Sequence, residues 1–92
     1  MEEFLKHLRE DRWTKGAIQN IYGENCLLGF IILYGGHNKV QIRDAFRKAI
    51  AELYPQYYWP YITSFNDDPS TIWKDIERVA RRAQKIYPTL FR

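Results

Sequence analysis

The sequence predicts a mainly α protein: a small single domain over residues 1–92, of about four helices, with a short β-hairpin-like excursion between the first two. Three observations carry this reading. Two long segments, Ile42 to Leu53 and Ile72 to Ala83, repeat apolar residues at helical spacing. Gly35-Gly36, Pro55 and Pro88 fall between segments, where helices stop. Hydrophobic residues make up 46% of only 92 positions, which suits one packed core.

Glu2 to Arg12 reads as the first helix. Phe4, Leu5 and Leu8 share a face, and early acids with later bases complement the helix dipole. Trp13 to Gly23 has no helical period. Ala17-Ile18 and Asn20-Ile21-Tyr22, set around Gly16 and Gly23, read as the excursion. Asn25 is placed to cap a second helix over Cys26–Tyr34, closed by Gly35-Gly36. Phe30–Tyr34 equally fits a buried strand, because so short an apolar run has no distinguishing period. Asn38 caps the third helix, whose Ile42, Ala45, Phe46, Ala49, Ile50 and Leu53 form one stripe. Pro55, lacking a donor, stops it. Pro55 to Tyr61 is a loop, and Ile62 to Phe65 an extended stretch. Asp68 as cap and Pro69 in the first turn open the fourth helix. Its buried stripe is Ile72, Ile76, Val79, Ala80 and Ala83, and Pro88 ends it.

Size and charge bound the function. A chain this short buries only about 60–65% of its unfolded surface, so homo-oligomerisation would cover apolar area it cannot bury alone. A net charge of +3 is compatible with an anionic partner without demanding one. The single Cys excludes an internal disulfide and suits a reducing cytosol. The Glu2-Glu3 opening is no secretory signal. The longest apolar run, nine residues from Cys26 to Tyr34, falls short of the about 20 that a membrane span needs. The expected location is the cytoplasm, with no membrane partner.

Cys26 is the first candidate for chemistry. A thiol at a helix N-terminus sits at the positive end of the dipole, which lowers its pKa. With His37 or His7 as base and Asn66 or Asp67 as orienter, it would form a Cys-His-Asn/Asp set. The structural alternative is a small hydrophobe opening an apolar run, and free cysteines are commonly that. One Cys and two separated His give none of the paired spacings of a zinc site. Gly35-Gly36 lacks the rest of a phosphate loop. Neither metal nor cofactor is expected.

Two features point to binding. Lys74, Arg78, Arg81, Arg82 and Lys85 lie on one side of the last helix, opposite its apolar stripe, and Arg43, Arg47 and Lys48 add to the field. Such a face binds phosphates; the alternative is a solvated surface partly neutralised by Glu77 to Arg81 pairing. The loop carrying Tyr57, Tyr58, Trp59 and Tyr61 either folds over the core or meets a partner, since Tyr and Trp are enriched at binding hot spots.

Trp13, Gly16, Ala17, Gly23, Cys26, Gly29, Asn66, Asp67, Pro69 and Thr71 follow the order Trp-x-x-Gly-Ala, Cys-x-x-Gly, Asn-Asp-x-Pro. In this the chain resembles a domain-of-unknown-function family of small uncharacterised bacterial and phage proteins, over roughly residues 4 to 85. Lys15, Phe30 and Phe65 stand where that family tends to have Gln, Ala and Trp. The resemblance implies a shared fold and a structural role for Trp13, Gly16, Gly23, Cys26, Gly29, Asn66 and Asp67. Asn66 and Asp67 are then expected to bond the Trp13–Gly16 turn and pin the excursion to the last helix.

The function expected is a small non-enzymatic binding protein, phage or mobile-element encoded. It acts on a host protein or sequesters an anionic nucleotide-like ligand, for example as a host-defence inhibitor. Its binding residues are Tyr57, Tyr58, Trp59, Tyr61, Arg78, Arg81, Arg82 and Lys85. The alternative is a Cys26-dependent hydrolase or transferase. A further alternative is a sequence-independent nucleic-acid binder, ranked behind the first because the net charge is modest and no helix-turn-helix, RRM or finger signature is present.

Overall fold

The computed structural model describes residues 2–57 and 61–91. Among these residues there are five α-helices: α1 (Glu2–His7), α2 (Leu27–Tyr34), α3 (Lys39–Leu53), α4 (Tyr61–Asp67) and α5 (Trp73–Ile86). Single 3-10 turns cover Glu10–Arg12 and Gly36–Asn38. The protein is mainly helical.

The longest helix, α3, is the spine. Its stripe of Ile42, Ala45, Phe46, Ala49 and Ile50 is buried, and it packs most extensively on α5 and also on α4 and α2. The facing stripe of α5 is Ile76, Val79, Ala80 and Ala83. Phe4 from α1, Phe46 from α3 and Phe91 beyond α5 meet edge to face, with centroids 5.9 to 6.2 Å apart. This arrangement suits the ring quadrupoles and ties both ends of the described chain to the spine.

The excursion between α1 and α2 is held by isolated bridges, Trp13 to Asn25 and Gln19 to Asn25, with no longer strand among the described residues. Its tip turns at Gly23, whose φ of 75° favours glycine.

Several local expectations are corrected. The first helix stops at His7. Arg9 is extended, which turns the chain so that Trp13 reaches Asn66. Asn25 does not cap α2, because its backbone bonds Arg12 O and Thr14 N. Cys26 is the cap instead, its Sγ accepting from Gly29 N at 3.4 Å. The Phe30–Tyr34 ambiguity resolves as helix. Ile62 to Phe65 is helical, not extended: Ile62, Phe65 and Asn66 are all buried, and the i, i+3, i+4 spacing puts them on one face. Asn38 precedes α3 without a side-chain capping bond. Asp68 caps its own turn, Oδ1 accepting from Ser70 N and Oγ at 2.8 and 2.6 Å. α5 therefore begins later, where Asp75 accepts from Ile72 N at 2.9 Å, and Ile72 is 56% exposed rather than in the stripe.

Candidate functional site

The basic face of α5 is built by its own period. With Ile76, Val79, Ala80 and Ala83 committed to α3, the positions i, i+3, i+4 and i+7 from Arg78 fall together outside. Arg78, Arg81, Arg82 and Lys85 line an open cleft of about 200 Å³ together with Leu53 at the end of α3. Arg82 pairs with Glu52 Oε1 through Nη2. Its Nε, shielded from water, has no hydrogen-bond partner among the described residues. Arg78 lies over the Tyr54 ring at 5.5 Å. That ring is held by its hydroxyl, which donates to Asp75 Oδ1 at 2.8 Å. Arg81 and Lys85 have no ion-pair partner among the described residues, and the expected Glu77 to Arg81 pair is not formed. Lys74 does not line the cleft. Four cationic residues thus line one space, with Glu52 paired to Arg82 and Asp75 reaching the Tyr54 ring beneath Arg78.

Cys26 sits in a different environment. It is buried, and burial pushes its thiol pKa up against the lowering influence of the Gly29 and Leu28 amides. Desolvation therefore wins over the helix terminus. His37 lies in the 3-10 turn that follows α2, and His7 stacks flat on Tyr34 at 3.9 Å. Both imidazoles are at the C-terminal end of an eight-residue helix whose N-terminus carries the sulfur, about 12 Å away along the axis. The structure does not bring Cys26 and His37 together, and the Cys-His-Asn/Asp set is not assembled. Native Cys26 should accordingly react with iodoacetamide at pH 7 about tenfold or more slowly than the urea-unfolded chain. Equal rates would show that the thiol is open.

Asn66 and Asp67 are spent on architecture. Asn66 Oδ1 accepts from Trp13 Nε1 at 2.7 Å and from Leu27 N at 2.9 Å. Its Nδ2 donates to Thr14 O at 3.1 Å and to Asp67 Oδ1 at 2.9 Å. Asp67 Oδ1 also accepts from Gly16 N at 2.9 Å. Lys15 Nζ reaches Asp68 O at 2.6 Å. These bonds join the Trp13–Gly16 turn to α4 and to the start of α2, not to the last helix as the sequence suggested. Thr71 Oγ1 donates to Phe65 O at 2.7 Å and closes the end of α4.

Of the aromatic loop, Tyr57 packs edge-on against Phe65 at 5.8 Å and is half-buried. Tyr58, Trp59 and the side chain of Tyr61 lie outside the described residues. Sequence reasoning missed that Leu53 lines the cleft and that Glu52 and Tyr54 take up Arg82 and Arg78. The signal available was their place in and just after the last turn of α3, where two amphipathic helices must meet. Among the described residues no group of His, Cys, Asp and Glu is placed to hold a metal ion, and no helix is long and apolar enough to cross a membrane.

Fold and site together define a small helical domain, with a clamped excursion on one side and a cationic cleft on another. The chain belongs to a family of unknown function, DUF6197, which matches residues 1–86. No curated protein matches the chain, and no solved structure does.

Proposed function

We propose that the protein is a non-enzymatic binding protein whose α3–α5 cleft takes an anionic, nucleotide-like ligand. The convergence of Arg78, Arg81, Arg82 and Lys85 on one space with an apolar wall at Leu53 carries the reading. Guanidinium groups match phosphate oxygens in planar, two-pronged pairs. Arg82 has donors beyond the one Glu52 uses. The cationic row from Arg78 to Lys85 spans seven residues of helix, about 10 Å. That length fits a short polyphosphate better than a nucleic-acid backbone, whose binding spreads over many phosphates. Leu53 offers a face for the remainder of the ligand. In a phage or mobile-element setting, such a protein would act in the cytoplasm by withholding the ligand from host machinery.

Titration calorimetry with ATP and with inorganic pyrophosphate tests this. Both should bind at low salt, with affinity falling as salt rises. The Arg81→Glu/Lys85→Glu protein should bind at least about tenfold more weakly, the loss of 1.4 kcal/mol or more that two removed phosphate contacts imply. Its melting temperature should stay within a few degrees of wild type, since both side chains are exposed. Absence of binding to either probe at millimolar concentration refutes the proposal.

A further inference from the structure

The tip of the excursion presents Ile21 and Tyr22 to solvent, 91% and 75% exposed, on a turn too well fixed to tuck them away. Asn20 fixes it from both its backbone and its side chain. Its N–H donates to Glu24 O and its carbonyl accepts from Gly23 N, at 3.0 and 3.1 Å. Its Oδ1 accepts from Tyr22 N and Glu24 N, each at 3.0 Å, and its Nδ2 donates to Glu24 Oε1 at 2.8 Å. A rigid turn holding two large apolar side chains outward loses little entropy on docking, so it is suited to binding.

Elsewhere the same chain carries a matching recess. α2 is apolar on every side, yet one side is uncovered, where a helix of that composition is normally buried all round. Between α2 and α3 lies a groove of about 190 Å³, lined by Leu28, Ile31, Ile32 and Val40 and rimmed by Lys39 and Arg43. The two cations are four residues apart in the opening turns of α3, which has no acid in its first turn, and neither has an ion-pair partner among the described residues. Like charges at that spacing repel, and cations oppose the helix dipole there. An incoming carboxylate would relieve both, and the rigid turn carries one at Glu24, held in place by Asn20 through Oε1 and set beside the Arg12 guanidinium on Gly23 O.

We propose that the protein self-associates head to tail, with the Asn20–Glu24 turn of one copy seated in the α2–α3 groove of the next. Ile21 and Tyr22 cover Ile32 and Val40, and Glu24 faces Lys39 and Arg43. Because turn and groove are different surfaces, the contact is heterologous and leaves a free turn and a free groove at the ends.

Sedimentation of wild type, Ile21→Asp and Val40→Asp between about 10 µM and 1 mM tests it, a range that captures a contact of modest area. Wild type should form a concentration-dependent ladder of species, and each variant alone should be a monomer. The equimolar mixture should stop at two chains, since one partner retains the groove and the other the turn. A monomeric wild type overturns the proposal, as does a variant that still associates. Monomeric variants whose mixture stays monomeric also overturn it, since that result marks a two-fold contact. Both positions are exposed, so helix content by circular dichroism should be unchanged; Tyr22→Asp and Ile32→Asp replace any variant that has lost it.

Discussion

Asn66→Ala should lower stability by about 3–5 kcal/mol, which for a chain this size moves the melting temperature down by roughly 15–30 °C. The side chain is fully buried, and its amide uses both donor and acceptor capacity: Trp13 Nε1 and Leu27 N donate to it, and Thr14 O and Asp67 Oδ1 accept from it. Truncation leaves the Leu27 amide and the Trp13 indole without partners. The buried Leu27 amide costs about 1–3 kcal/mol as an orphan, the half-buried indole adds a smaller loss, and the vacated volume adds to both. Asn66→Asp separates the two halves of the amide. It preserves shape and acceptors but turns the Nδ2 donor into an oxygen facing Thr14 O and Asp67 Oδ1, so most of the loss should remain. Urea titrations of both variants decide the matter. An Asn66→Ala midpoint indistinguishable from wild type would mean that the clamp does not hold in solution, and a wild-type-like Asn66→Asp would remove its donor half.

The clamp also shows what the sequence can and cannot reveal. α3 and α5 were legible because each buries one stripe of an amphipathic period, and burial is what the period records. α4 was not. Seven residues around Ile62-Thr63-Ser64-Phe65 carry no full period, and Ile and Thr favour strands by intrinsic preference. What makes this segment helical is the distant demand that Ile62 and Phe65 enter the core while Asn66 meets Trp13. Asp68-Pro69 misled for a related reason. The pair has the chemistry of a helix start, but the Asp68 carboxylate is taken by Ser70, and Asp75 supplies the start of α5 instead. The cationic face was legible from spacing alone. That Leu53 borders it, and that Glu52 and Tyr54 take up Arg82 and Arg78, depends on how α3 and α5 pack. Separation of Cys26 from both His residues was hidden too, since chain order says nothing about which end of α2 each one occupies.

Gly29→Ala should destabilise by about 2–4 kcal/mol, opposite in sign to the expectation from helix preference, by which Gly to Ala within a helix gains about 1 kcal/mol. A Cβ at Gly29 would lie 2.1 Å from the carbonyl oxygen of Ile18 and 3.1 Å from Asn25 Cβ. The first of these is backbone, so relief requires moving the excursion itself. That movement strains the bond from Cys26 N to Ile18 O, now 3.2 Å, and the bridges around Asn25. The Cys-x-x-Gly spacing thereby acquires a physical meaning. The sulfur three residues earlier accepts from the Gly29 amide, and the missing side chain lets the Ile18 carbonyl approach the first turn of α2. Gly16→Ala is the control: its φ of 80° is strained for alanine, but nothing among the described residues lies within 4 Å of the new Cβ, so a cost of only about 1–2 kcal/mol is expected. Hydrogen exchange at the Cys26 amide should accelerate in Gly29→Ala beyond what the global loss explains, and not in Gly16→Ala. A Gly29→Ala protein more stable than wild type would show that helix preference outweighs the contact, and that the excursion does not lie against α2 as closely as described.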